Sequence, residues 1–431
     1  MYIGVDLGTT GCKVVLFDRS GKIVSQFNKE YPLICRGSFV EQDADKWWEL
    51  VCEGITAVRG DFGSDIAGIS VSTQGIAVVP VDIHGRAMAN AISWLDTRAV
   101  EEKEYFEDTV GRDTVYRTTG KFVSAEYTLP KLMWLKRHEP ELYGAAHKFL
   151  LPLDFLNLRL CGRAVCDYTI AGGTMAFDIK NKRYDSSLLD AAGVDERLLP
   201  EVACMGERLG YILPDVADML GISRKCAVYL GGQDQKIAAI GAGIGEANVT
   251  VSFGTATAVT KLTRNLPEKT DFSRFRFNEE FYSYEGVVAT SGAALKWAQS
   301  AIFADLTYKE LDRLAEEAGG SDGTVFDTDL TCGGTISGIT LKTTTGNIVY
   351  ALFEGVAMRI AEFAADMGGC DSLTVFGGGS KSRIWCQILA DVSSREVVAL
   401  STPETAALGA AILASEKNMP GASAAQKFLP R

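Results

Sequence analysis

Ala227-Val-Tyr-Leu-Gly-Gly-Gln-Asp-Gln-Lys-Ile-Ala-Ala-Ile-Gly-Ala-Gly-Ile244 reads as a short apolar strand, a glycine turn, one carboxylate and a helix of small residues. Gly231 and Gly232 lack a Cβ, so backbone or ligand can approach closely there. Asp234 falls where the turn becomes a helix, at the positive end of the helix dipole, which favours its ionised form. A carboxylate held at a strand end can take the proton of a hydroxyl as that hydroxyl attacks an electrophile. It can equally be a helix-capping Asp after a glycine turn. This stretch leaves both readings open, and a strand followed at once by a helix points to an α/β fold.

Working outward, residues 2–18 place two apolar strands around Gly8-Thr9-Thr10-Gly11, a hairpin signal. Gly8 frees the loop backbone, and Thr9 and Thr10 offer N–H and hydroxyl donors that can wrap a phosphate. Asp6 ends the first strand, where it can hold a magnesium ion through water. Lys13 adds positive charge. The pattern recurs from residue 249, where Val-Thr-Val-Ser-Phe leads into Gly254-Thr255-Ala256 and a second strand. One such hairpin is an ordinary tight turn. Two suggest a duplicated domain with two phosphate loops facing one cleft, and a boundary near residue 245, giving domains 1–244 and 245–431.

Between the hairpins, Gln74 sits on a polar turn after a buried strand and can read a hydroxyl. Trp94, Asp96 and Arg98 occupy alternate positions, hence one face of an extended segment. That face is a sugar platform or a satisfied structural pair. In the second half Gly292 opens a helix that can receive a nucleotide. Residues 373–395 give a strand, Gly377-Gly378-Gly379, and a helix whose Trp385 and Leu389 make a flat surface for an adenine. The small-residue helix of 404–415 is expected to pack against it.

The chain totals 431 residues, enough for two or three domains, and 47% hydrophobic residues suffice for large cores. A net charge of −12 argues against nucleic acid or anionic membrane as partners. No apolar run has membrane-spanning length and no signal-peptide pattern opens the chain, so a cytoplasmic protein is expected. The ten cysteines are scattered without a CxxC pair and only three histidines are present, which disfavours structural zinc or a disulfide framework.

Taken in order, these stretches resemble the FGGY family of carbohydrate kinases, within the superfamily of sugar kinases and actin-like ATPases. Gly334-Thr-Ile-Ser-Gly338-Ile339, seven residues, then Asn347-Ile-Val-Tyr-Ala351-Leu-Phe-Glu354 is similar to its C-terminal signature. Thr128-x-x-Lys131-Leu-x-Trp134-Leu-x-Arg137-His138 is similar to much of the N-terminal one, with Glu126 unusual at its start. The resemblance implies two ribonuclease H-like domains around a central cleft, ATP with Mg2+, and phosphate transfer to a sugar or polyol. It implies Asp234 as the base, with Asp6 and Asp234 on the metal side. Gly8, Thr9, Thr10, Lys13, Gly254 and Thr255 match the phosphate contacts; Gly292, Gly378, Gly379 and Ser382 match the nucleoside end. Gln74, Gly75, Trp94, Asp96, Glu126 and Gln235 are the substrate candidates.

A ketopentose of the xylulose type is the expected acceptor, with glycerol, gluconate, another ketose, or an actin-like ATPase without sugar as alternatives. A homodimer stays open. The chain departs from its relatives in the substrate turn, where Gln74-Gly75-Ile76-Ala77 replaces the Gln-Met-His-Gly of xylulose kinases and the Gln-Arg-Glu of glycerol kinases. Residues 326–332, Phe-Asp-Thr-Asp-Leu-Thr-Cys, replace the usual Pro-Tyr-x-x-Gly-Glu-Arg. Gly75 and Ile76 offer no side-chain hydrogen bond, so discrimination should weaken there or move to Trp94, Asp96 and Glu126. On that basis D-xylulose and glycerol are both expected to be poor beside another ketose or polyol.

Overall fold

The computed structural model describes residues 1–266, 271–331 and 333–431, which leaves Cys332 outside. The chain divides into two α/β units. Unit 1 takes residues 1–241, 264–282 and 406–421; unit 2 takes 242–263, 283–405 and 422–431. The first division falls at 241/242, close to the expected 244/245, but it is not a single cut. The chain returns to unit 1 twice after residue 241, because two later segments find their packing partners there.

The sheet of unit 1 has six strands in the order Arg208–Tyr211, Ala227–Gln233, Gly68–Thr73, Tyr2–Leu7, Gly11–Phe17, Ile23–Glu30. The hairpin pairs antiparallel, with Asp6 opposite Lys13. Gly68–Thr73 pairs parallel with Tyr2–Leu7 on one side and Ala227–Gln233 on the other. These parallel strands are buried along nearly their whole length, which accounts for their continuous apolar runs. Helix Ala44–Arg59 is capped by Asp43 and buries Trp47, Leu50, Val51 and Ile55, the face its spacing predicts.

In unit 2 the order from Tyr282–Val288 onward is Thr257–Thr263, Asn248–Phe253, Ser372–Gly377, Glu396–Leu400, Ala424–Phe428. Asn248–Phe253 again forms an antiparallel hairpin on one edge and a parallel pair on the other. The two sheets thus repeat one plan. Helix Thr345–Asp366 starts at a capping box between Thr344 and Asn347. Among the described residues no helix is long and apolar enough to cross a membrane.

Helix Thr405–Ala414 packs in unit 1 and not on the 373–395 turn. A Cβ on Gly4 would lie 1.8 Å from the Ala407 carbonyl oxygen, and one on Gly409 would lie 1.9 Å from that of Ile237. Small residues let this helix approach a strand and a second helix at backbone distance, a partner choice that apolar composition alone does not specify.

Unit 1 also buries Asp154, whose carboxylate accepts the Leu151 N–H at 2.8 Å while its other oxygen has no partner among the described residues. Burial pushes this carboxyl from an ordinary value of 3.8 up to about 8. The folded chain therefore keeps a proton that the unfolded chain releases, so this group makes stability fall as pH rises from about 4 to about 8. Asp154→Asn should flatten that decline, worth on the order of 1 kcal/mol per pH unit. Denaturant midpoints at pH 5 and pH 8 test it; an unchanged pH difference in the variant would exclude Asp154 as its source.

Candidate active site

Three parallel strands of unit 1 end side by side, and their carboxyl ends carry the candidate chemistry, as expected for an open α/β sheet. Ser72 lies between Asp6 on one neighbouring strand and Gly232 on the other. Its hydroxyl donates to Asp6 Oδ1 at 3.2 Å. Asp234 follows two residues after Gly232 and opens helix Asp234–Gly241. Two strand spacings, about 10 Å, thus separate the Asp6 and Gly232 positions. Asp234 is half-buried, and its Oδ1 receives Gln233 Nε2 at 2.6 Å and the Gln235 backbone N–H at 2.7 Å. Gln235 itself is half-buried beside that carboxylate, one residue further along the helix.

The turn at Gly8 closes through the Gly8 N–H and the Gly11 carbonyl at 2.8 Å. Below it lies a polar network that the sequence does not announce. Tyr31 donates to the Gly8 carbonyl, and Gln42 donates to the Thr9 carbonyl at 2.7 Å. Gln42 and Gln74 exchange amide hydrogen bonds at 3.1 and 3.3 Å. Gln74 is 1% exposed, so its side chain braces the turn and does not face a substrate. A pairing this distant in sequence leaves no local signal. Gly75 borders open space: a Cβ added there would meet nothing within 4 Å.

Trp94 and Asp96 part company. A turn closed by the Asp96 N–H and the Ser93 carbonyl breaks the alternation that placed them on one face. Trp94 remains 36% exposed and donates its indole N–H to Thr9 Oγ1 at 2.9 Å. Asp96 is fully buried, takes the Val40 N–H, and binds Arg98 through both oxygens at 2.9 and 2.7 Å. Arg98 also reaches Glu41 at 2.8 Å and lies over the Phe39 ring. Asp96 is thus the structural pair and not a sugar contact. Glu126 is exposed, and the fold engages its backbone: the carbonyl accepts from the buried Lys131 ammonium and the N–H donates to Ser124 Oγ.

A cationic cluster was also not foreseen. Lys236, on the first turn after Asp234, is fully buried with its ammonium 4.0 Å from the Phe275 ring centre. Lys121 approaches the same ring at 2.8 Å. Desolvated cations over an aromatic face attract by up to about 2 kcal/mol. Residue 275 belongs to a segment that rejoins unit 1, so sequence proximity offered no warning.

In unit 2 the second Gly-Thr turn is exposed and meets the start of helix Gly292–Ala301. The Gly292 N–H donates to the Gly254 carbonyl at 3.1 Å and that of Ala293 to the Thr255 carbonyl at 3.0 Å. A Cβ on Gly292 would sit 2.4 Å from the Gly254 oxygen, so this glycine is needed for packing against the turn. Those two N–H groups donate to the turn itself. Gly378 and Gly379 follow strand Ser372–Gly377, and Gly379 packs on Phe253. Ser382 caps helix Arg383–Ser393, accepting the Trp385 N–H at 3.2 Å and donating to Asp312 at 2.9 Å. Its hydroxyl is therefore occupied. Trp385 is 1% exposed and stacks on Phe353, so it is core and offers no adenine platform.

A duplicated hairpin unit with carboxylates at the strand ends places this chain among phosphotransferases and ATPases of the actin-like fold. Residues 1–241 match the N-terminal domain of the FGGY family of carbohydrate kinases, and residues 249–416 match its C-terminal domain. The chain belongs to that family, and as a kinase it uses ATP and a small carbohydrate acceptor. It is 30% identical over 446 residues to a xylulose kinase of Escherichia coli strain K12, covering 96% of this chain and 89% of that one. A xylulose kinase of Staphylococcus xylosus is 28% identical over 434 residues, covering 96% and 90%. The structure of a ligand-bound xylulose kinase from Lactobacillus acidophilus superposes with a TM-score of 0.92 at 25% identity, covering all of this chain and 94% of the other.

Proposed function

We propose that the protein phosphorylates a ketopentose of the xylulose type with ATP, in the cytoplasm, with Asp234 as general base. The observation that carries this reading is the placement of Asp234 at the first helical residue after a buried strand whose Gly232 is level with Asp6 across Ser72. The acceptor hydroxyl gives its proton to the Asp234 carboxylate as its oxygen forms a bond to the γ-phosphorus, and the bond from phosphorus to ADP breaks. Such transfer depends on positioning and charge stabilisation. Lys13, opposite Asp6, adds positive charge near the Gly8-Thr9-Thr10 turn.

The half-buried Asp6 carboxylate suits a magnesium ion that keeps most of its waters and takes phosphate oxygens. Asp6, oriented by Ser72, would hold it. Bound there, Mg2+ would neutralise phosphate charge.

The family relatives named for xylulose shift the expectation about that sugar. D-xylulose becomes the leading acceptor, and what remains of the substrate-turn argument is shallow selectivity. Gly75 borders open space and Ile76 has no polar side chain, whereas a site that hydrogen-bonds a hydroxyl discriminates by about ten thousandfold. A coupled ADP assay should show phosphorylation of D-xylulose with other ketopentoses within about a hundredfold in kcat/KM. Glycerol should trail. Turnover of ATP without any sugar dependence would remove the kinase reading; strict selectivity for one ketose would remove the argument from the turn.

Thr10 and Thr255 are exposed residues of the two Gly-Thr turns. Thr10→Val and Thr255→Val are each expected to weaken ATP and ADP binding by about tenfold, the scale of one hydrogen bond to a charged group. Sugar affinity should hold. Titration calorimetry decides it, and a loss confined to one variant would refute equivalent roles for the two turns.

A further inference from the structure

The Thr/Gly-rich stretch after residue 164 has no part in the function so far, yet it runs to the candidate base. Asp167 caps the short helix Tyr168–Gly172 and is fully buried. Its Oδ2 accepts the Thr169 N–H at 2.8 Å and the Thr169 hydroxyl at 2.7 Å, and its Oδ1 accepts the Ile170 N–H at 3.0 Å. A plain cap needs only the backbone donors. The hydroxyl proton is committed to Asp167, so the Thr169 oxygen turns its lone pairs outward and accepts the Gln233 N–H at 3.0 Å. Donation to a carboxylate makes that oxygen a better acceptor. Gln233 in turn gives its Nε2 hydrogen to Asp234 Oδ1. The opposite amide orientation would set two oxygens against each other.

The strand is shaped for this contact. Its register with Gly68–Thr73 slips between Tyr229 and Gly232. A Cβ on Gly232 would lie 3.0 Å from Asp167 Oδ2 and 3.1 Å from Thr169 Oγ1. Strand and helix therefore touch where the chain turns towards Asp234.

We infer that Asp167, Thr169 and Gln233 form a positioning line that fixes the orientation of the Asp234 carboxylate for proton transfer. This rests on Asp234 being the base. Thr169 and Gln233 touch no reacting atom; they act through Asp234. Displacing a reacting group by about 1 Å can cost a hundredfold in rate, so a tethered carboxylate has consequences for turnover that binding does not share.

The test compares Thr169→Val, nearly isosteric but without the hydroxyl, with Thr169→Ser, which keeps it, and with Gln233→Ala, a half-buried change that spares the core. Val at 169 and Ala at 233 should each lower kcat by about tenfold or more while KM for ATP moves less than about twofold. Ser at 169 should restore most of the loss. In an Asp234→Asn background the Val change should add nothing, since the group it positions has gone. Near-normal kcat in Gln233→Ala and Thr169→Val, a Ser variant as impaired as the Val one, or the same loss factor in the Asn background would each overturn the inference. Should Thr169→Val fail to fold, Gln233→Ala and the Ser variant still decide. Normal kcat in Asp234→Asn alone would instead sink the general-base reading, so the two failures are distinguishable.

Discussion

Asp234→Asn should lower kcat by about a hundredfold or more, the scale of losing a general base, with ATP affinity nearly unchanged. The amide keeps the size of the side chain and its Oδ1 can still accept from both donors, so the strand-to-helix junction has little reason to move. What it loses is the ability to accept the acceptor hydroxyl's proton. On the general-base reading the substitution removes no contact to the nucleotide. A drop in kcat together with a large rise in KM for ATP would therefore point to misfolding and not to lost chemistry. Steady-state kinetics with D-xylulose, together with calorimetric ATP binding, separate the cases. A variant with kcat near that of the native chain would remove Asp234 from the mechanism.

What could be read from the sequence was whatever lay in local pattern. The Gly-Thr hairpins, the strand ends at Asp6 and Asp234 and the helix starts at 292 and 383 follow from turn residues and periodicity, and the structure contains each of them. Burial could not be read. Gln74, Asp96, Ser382 and Trp385 are types that serve equally in a core or at a ligand, and only three-dimensional neighbours show that each is engaged by protein. For Asp96 the structural pair with Arg98, one of the two readings left open, is what the fold contains, while one turn at Ser93 takes Trp94 off the shared face. The return of two later segments to unit 1 escaped for a related reason. Segments 264–282 and 406–421 carry no boundary composition, and their placement depends on close backbone contacts made elsewhere in the fold.

Gly231→Ala is expected to be the most destabilising small change near the site. The added Cβ would lie 1.7 Å from the Val71 carbonyl oxygen and 2.6 Å from its carbon. Both belong to the backbone of the neighbouring strand, which cannot rotate away as a side chain can. Backbone strain is not the cause, since Gly231 is not among the glycines with positive φ. Inserting a methyl into a well-packed interior costs about 1–3 kcal/mol where side chains can shift, and here the figure should reach about 3 kcal/mol or more. For a unit of this size that lowers the melting midpoint by about 6–12 °C. Gly75→Ala is the matched control, because its Cβ meets nothing within 4 Å and should leave the midpoint within about 2 °C. The strand that Gly231 holds against Val71 is the one that delivers Asp234, so partial accommodation should cost kcat before it costs ATP binding. Thermal melts of both variants by circular dichroism give the answer. A Gly231→Ala protein melting with the native chain would show that the two strands have room the structure does not contain.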